Sequence, residues 1–271
     1  MKNKLIVANW KANPESIREA KEIFSPIKRA AAKLNQVEVV ICPPAVWLAE
    51  LVKGARNWNG GVALGSLKAT PPFRVRLSFG GQDAFWELIG AYTGQLGPTM
   101  IRNAGATYLI IGHSETRALG DTDNLIKAKV RLALKHGLKV ILCVGEKARD
   151  EHGKYLQILR GQIESALTGV PRTQAKQIIL AYEPIWAIGA QAKGADTPAA
   201  FLEQSIFLRK VLTGIIGREM ALDCSILYGG SVDADNAAGF LDEGGANGLL
   251  VGRVSLSPES FIKILKIANS I

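Results

Sequence analysis

Thiols, imidazoles and long apolar runs are scarce in this sequence, and each shortage removes a class of function. The three cysteines, Cys42, Cys143 and Cys224, are an odd number with no metal-ligand spacing. Each lies in or beside an apolar run, so they read as small core residues in a reducing compartment, not as a disulfide framework or a metal centre. No run is long and apolar enough to span a bilayer. Behind Lys2 and Lys4 the first apolar run covers only residues 5–8, which suits a strand and is too short for a secretory leader. A cytoplasmic location without membrane contact is the expectation. The first strand ends in Asn9-Trp10-Lys11, without the Gly-x-Gly turn that opens a dinucleotide-binding sheet.

Acidic residues are also in deficit, with 24 Asp and Glu against 33 Lys and Arg, a net charge of +9. Such an excess suits a polyanion or a small anionic substrate. The basic residues are dispersed. The densest set, Lys127, Arg131 and Lys135, falls at i, i+4 spacing with Asp123 one turn earlier, which reads as a solvated helix face. No aromatic residues interleave with it as a single-strand binder requires. No nucleic-acid partner is expected.

What the chain does contain is a repeated alternation of short apolar strands and amphipathic helices. Its 271 residues, 48% hydrophobic, suffice for one large domain. The pattern predicts strands at residues 5–9, 37–42, 77–82, 108–112, 139–144, 178–182, 226–228 and 248–251. Helices are predicted at 17–34, 45–52 (ending near Gly54), 99–104, 121–136, 155–167, 198–215, 234–241 and 258–268. Pro26 falls inside the first and should kink or break it. Thr197 caps the helix that Pro198 opens. Residues 57–76 have weak periodicity and several Gly and Pro, and read as a long irregular insertion with a short strand near 62–64.

Eight strands, apolar on both faces and each followed by a helix, predict a closed (β/α)8 barrel over residues 1–271 as one domain, the insertion lying between helix 2 and strand 3. A doubly wound open sheet is the alternative. In a barrel the chemistry gathers where strands end. That rule selects Asn9 and Lys11, Gln82-Asp83, His113-Ser114-Glu115, Gly145-Glu146, Glu183, Gly229-Gly230-Ser231 and Gly252-Arg253. A carboxylate, an imidazole, a lysine and two glycine turns at one rim suit a small phosphorylated carbonyl compound. The carboxylate would take a proton beside the carbonyl, and the imidazole and ammonium would stabilise the oxyanion. Backbone N–H groups would hold the phosphate.

The segments Asn9-Trp10-Lys11, Gly90-Ala91-Tyr92-Thr93-Gly94, Ile111-Gly112-His113-Ser114-Glu115, Cys143-Val144-Gly145-Glu146, Ala-Tyr-Glu-Pro-Ile-Trp-Ala-Ile-Gly at 181–189, Tyr228-Gly229-Gly230-Ser231 and Leu250-Val251-Gly252 occur in this order. With them the chain resembles the triosephosphate isomerase family over nearly its whole length. The resemblance implies interconversion of D-glyceraldehyde 3-phosphate and dihydroxyacetone phosphate, in glycolysis and gluconeogenesis, by a homodimer without metal or organic cofactor. It assigns Glu183 as the base, His113 as the neutral electrophile and Lys11 as the cation that stabilises negative charge. Asn9 would line the pocket. Gly189, Ser231, Gly252 and Arg253 would grip the phosphate through the backbone, and Glu115 and Tyr228 would be supporting residues, Tyr228 holding a closed lid with Ser231.

Four departures from the family pattern stand out. Arg253 replaces a second glycine after Gly252, and its side chain is expected to turn outward. The segment after Gly189, residues 190–195, is rebuilt. Gln95 and Thr116 stand where the family carries a Glu and an Arg that pair between subunits; both are lost together, so neither charge is stranded. Residues 57–76 are longer than the family's connection. The alternatives are an isomerase for a tetrulose phosphate and a phosphate-binding barrel without catalysis.

Overall fold

The computed structural model describes residues 3–56, 77–187 and 196–271. The strands are β1 (Lys4–Asn9), β2 (Val37–Cys42), β3 (Leu77–Gly81), β4 (Tyr108–Ile111), β5 (Lys139–Val144), β6 (Ile178–Tyr182), β7 (Ser225–Tyr228) and β8 (Gly248–Val251). Each pairs in parallel with its successor, and β8 pairs with β1, so the expected barrel closes.

Strand parity divides the core in two. Leu5, Val7, Ile179, Ala181, Leu227 and Leu250 belong to an inner cluster that fills the barrel. Ile6, Ala8, Leu180, Ile226, Leu249 and Val251 belong to the outer cluster beneath the helices. Because side chains alternate along a strand, inner parity continues from Leu5 and Val7 to Asn9, and from Ile179 and Ala181 to Glu183. The pleat itself therefore aims these two polar side chains over the C-terminal mouth.

The helices are α1 (Ile17–Ala31), α2 (Ala45–Arg56), α3 (Pro98–Asn103), α4 (Ser114–Ala118), α5 (Asp123–Lys135), α6 (Lys154–Leu167), α7 (Pro198–Ile216), α8 (Arg218–Asp223), α9 (Ala237–Leu241) and α10 (Pro258–Ser270). Ser16, Thr122, Thr197 and Ser257 cap α1, α5, α7 and α10 by accepting from an amide three residues on.

Several boundaries differ from expectation. Pro26 does not break α1, which runs on to Ala31. Pro26 lies off the buried stripe of Ala20, Phe24, Ile27 and Ala31, and the carbonyl it leaves unpaired belongs to the exposed Glu22. The helix α2 passes Gly54 and ends at Arg56. The helices α4 and α8 were not foreseen: each is a single short turn without an apolar stripe long enough to register as periodicity. The expected insertion at 57–76, its strand near 62–64 and the rebuilt segment 190–195 lie outside the described residues.

Candidate active site

One cavity of about 420 Å³ opens at the C-terminal mouth, and Asn9, Lys11, His113, Glu183, Ser231, Gly252 and Arg253 all line it. Five separate strand ends thus deliver side chains or backbone to one volume.

Glu183 is the most enclosed of the ionisable groups there, with 2% of its surface exposed. Its backbone continues the ladder, donating to the Val144 carbonyl at 2.8 Å. Its carboxylate meets the His113 Nε2 at 3.2 Å with one oxygen and accepts from the Ser114 amide at 2.9 Å with the other. Gly145 makes room for this arrangement: a Cβ there would lie 1.9 Å from the Glu183 carbonyl oxygen.

His113 is the N-cap of α4, and its Nδ1 accepts from the Glu115 amide at 3.2 Å. An accepting Nδ1 uses its lone pair, so the ring hydrogen sits on Nε2, the nitrogen facing the cavity and Glu183. This is the neutral tautomer with its donor aimed at the mouth.

Lys11 adopts φ 55°, a left-handed conformation rarely tolerated outside glycine. Three contacts hold it there. The Asn9 Oδ1 accepts from the Lys11 amide at 3.1 Å. The Gln82 side-chain amide donates to the Lys11 carbonyl and to the Cys42 carbonyl, each at 2.8 Å. The ammonium meets the Glu115 Oε1 at 2.5 Å. Gln82 therefore ties the ends of β1, β2 and β3 together beneath the lysine.

Ser231 donates its hydroxyl to the Ala187 carbonyl at 3.0 Å, joining the turn after β7 to the turn after Glu183. Tyr228 is buried in the outer cluster beneath the helices, where it stacks on Phe240 with ring centroids 3.6 Å apart, and it does not line the cavity. Burial, and then the nearby Asp196 carboxylate, push its hydroxyl above the usual tyrosine range. Burial and the Glu183 carboxylate likewise push the Cys143 thiol far up, so it is no nucleophile.

A family model described as Triosephosphate isomerase matches residues 4–268. The chain belongs to the triosephosphate isomerase family. Curated relatives named triosephosphate isomerase include that of Natranaerobius thermophilus, 36% identical with 99% of this chain and 97% of the relative covered. That of Caldanaerobacter subterraneus subsp. tengcongensis is 37% identical over 98% of this chain and 99% of its own. That of Dictyoglomus thermophilum is 36% identical over 98% of this chain and all of its own.

Within this triosephosphate isomerase frame, Arg253 opens a 3-10 turn over Arg253–Leu256 and is exposed at the cavity rim. Lys11 is the sole non-glycine residue with positive φ among the described residues, so the arginine after Gly252 carries no left-handed strain. Glu115 reaches the cavity only through Lys11 and His113, and Gly189 lies outside the described residues. Reading strand ends found Gln82 and Glu146 but not what they hold. It passed over Arg149, Tyr182 and Asp196, because a polar network between loops leaves no spacing in the sequence.

Proposed function

We propose that this chain is a triose-phosphate isomerase, interconverting D-glyceraldehyde 3-phosphate and dihydroxyacetone phosphate in glycolysis and gluconeogenesis. The observation that carries the reading is the convergence of Glu183, the His113 Nε2 and the Lys11 ammonium on one cavity with two glycine turns.

The chemistry follows from which groups give and which take protons. Glu183 accepts through both oxygens, from the Ser114 amide and toward the His113 Nε2, and removes the proton from the carbon beside the carbonyl. The electron pair of that C–H bond forms the enediol(ate) double bond, and the carbonyl oxygen takes on negative charge. The His113 Nε2–H and the Lys11 ammonium face that oxygen and lower its energy; one such donor is worth roughly 10²- to 10³-fold in rate. The His113 Nε2–H gives its proton to that oxygen and the ring takes the proton of the neighbouring hydroxyl; Glu183 returns its proton to the former carbonyl carbon, and the new carbonyl forms at the neighbouring one. To do this its carboxylate exchanges the Ser114 amide for substrate. The backbone at Ser231, Gly252, Arg253 and Gly189 is assigned to the phosphate, and Asn9 to the pocket wall. Glu115 orients Lys11, and Tyr228 supports the turn after β7. No metal or organic cofactor enters this scheme.

A homodimer is part of the same reading. Its support is the loop after β3 and the helix that follows it, where Ile89 is 80% exposed and Tyr92, Leu96 and Met100 lie open. Large exposed apolar side chains this near one another in sequence favour burial by a second copy. No helix of the described residues is long and apolar enough to cross a membrane, and a cytoplasmic setting fits the substrate.

A coupled assay with triose and tetrulose phosphates tests the reading. Faster turnover of the tetrulose phosphate overturns the substrate assignment. Glu183→Gln should abolish turnover while a phosphorylated inhibitor still binds. Retained turnover removes Glu183 as the base, and binding without turnover in the unaltered chain identifies a phosphate-binding barrel.

A further inference from the structure

Beside the site lies a buried charge network that the reaction scheme does not use. Glu146 leaves the end of β5, and its side chain has no exposed surface. One oxygen accepts three donors: the Tyr182 hydroxyl at 2.7 Å, the Trp186 indole N–H at 2.9 Å and the Arg149 Nε at 3.2 Å. Its backbone carbonyl accepts from the Ile185 amide at 3.1 Å. Both Ile185 and Trp186 belong to the 3-10 turn Ile185–Ala187, which follows Glu183-Pro184 directly. Glu146 thus holds the turn by backbone and side chain together.

Arg149 in turn holds Glu146. Besides its ion pair with that carboxylate, it donates to the Tyr182 hydroxyl at 2.8 Å and lies 4.8 Å from the Trp186 ring centroid and 5.7 Å from that of Tyr155. Its other charged neighbour is Asp196, at 3.7 Å. The Asp196 side chain has no exposed surface, and neither of its oxygens has a hydrogen-bond partner. Asp196 directly precedes Thr197, the cap of α7. One guanidinium therefore faces two buried carboxylates, from the loops after β5 and before α7, and the indole of the turn after Glu183. Burial raises the Asp196 carboxyl, and Arg149 and then the Thr197 amide oppose that rise.

We propose that Arg149 is a positioning residue for Glu183, fixing the turn that directly follows the carboxylate by clamping Glu146 and Trp186 against the Asp196 end of α7. The proposal rests on the reading of Glu183 as base. A structural ion pair alone would serve stability equally well from any surface. Here the pair sits on the indole and carboxylate that set the direction of the turn, so its loss must be felt at the base. A planar guanidinium suits the task because it ion-pairs at its edge and stacks on Trp186 with its face.

The test compares Arg149→Met, Arg149→Lys and Asp196→Asn with the unaltered chain in kcat, KM, melting temperature and affinity for inorganic phosphate. Arg149→Met should lower kcat roughly 10- to 100-fold, as a displaced reacting group does, with phosphate affinity within about threefold. Arg149→Lys should regain part of kcat, and Asp196→Asn should lose less than Arg149→Met. In a Trp186→Phe background the Arg149→Met loss should shrink, since the two changes share a path. The indole N–H resonance of Trp186, assigned by its loss in Trp186→Phe, should move in Arg149→Met. Wild-type kcat in Arg149→Met overturns the proposal. So does a parallel fall of kcat and phosphate affinity, or full additivity with Trp186→Phe. If the unaltered chain does not isomerise triose phosphates, the function reading fails instead; an unmoved indole resonance then still removes Arg149 from the turn.

Discussion

Gln82 donates an amide hydrogen to the Lys11 carbonyl at 2.8 Å, and Lys11 holds a backbone conformation that only glycine adopts freely. The strain puts the ammonium within 2.5 Å of Glu115 and on the wall of the cavity. A left-handed non-glycine residue costs about 1–2 kcal/mol. Lys11→Gly relieves that strain and Lys11→Ala keeps it. The Gly variant should therefore melt above the Ala variant by an amount equivalent to about 1 kcal/mol, reversing the usual order. Both should lose roughly 10²-fold or more in kcat/KM. Equal melting temperatures would show that the loop relaxes when the lysine is gone.

His113→Gln removes the ring donor at Nε2 while leaving a polar side chain at the cap of α4. Turnover should fall by roughly 10²- to 10³-fold, the worth of one oxyanion donor. KM should change much less, since the interaction strengthens only as charge develops. Steady-state kinetics in both directions checks this.

Gly145→Ala places a methyl carbon 1.9 Å from the Glu183 carbonyl oxygen. Backbone atoms cannot yield as a flexible side chain does, so β5 and β6 must separate at their ends. A loss of about 1–3 kcal/mol in denaturant unfolding is expected. Activity should fall further than stability explains if Glu183 is the base, because the displaced atoms belong to it.

Lys129 is the buried basic residue of α5, in which Arg131 and Lys135 are exposed. Its side chain is 4% exposed and meets Asp83 at 2.7 Å and both oxygens of Asp121, at 2.8 and 2.7 Å. It joins the loop after β3 to the start of α5. Burial outweighs the lysine at Asp83 and raises that carboxyl. Lys129→Met leaves two carboxylates facing each other without a cation and should cost about 3–5 kcal/mol. Adding Asp83→Asn should return part of this, measured by chemical unfolding.

Asp150 accepts from the amides of His152, Lys154 and Tyr155, at 3.0, 3.1 and 3.0 Å, and so caps the start of α6. These amides hold its carboxyl below the ordinary value of 3.8. The folded pKa is depressed, so the stabilisation is fully present above the unfolded value and is lost as pH falls through the folded one. Asp150→Ala should therefore lower the melting temperature at pH 7. The gap between variant and parent should close in acid, below the depressed pKa. A gap independent of pH would assign the effect to something other than the charged cap.

The sequence alone determined the barrel and the positions where chemistry had to appear. Runs of four to six residues that are apolar on both faces suit a parallel sheet covered by helices, and eight of them alternating with helices favour the closed barrel over the open sheet. The same pleat carries Asn9 and Glu183 to the mouth, so their exposure to substrate was already encoded by strand parity. Local signals also sufficed for Thr197-Pro198, because a cap acts within one turn. Tertiary structure decided what lies between elements. The i, i+4 spacing of Lys127, Arg131 and Lys135 leaves Lys129 on the opposite, apolar stripe with Ile126, Val130 and Ala133; what the spacing does not show is that Asp83 and Asp121 arrive from other segments to meet it. Pro26 reads as a breaker by local rules, and packing of its neighbours against the barrel overrides it. Arg149 and Asp196, 47 positions apart in the chain, meet only when the ends of β5 and α7 do. A buried charge finds its partner by folding, and the sequence records the charge but not the meeting.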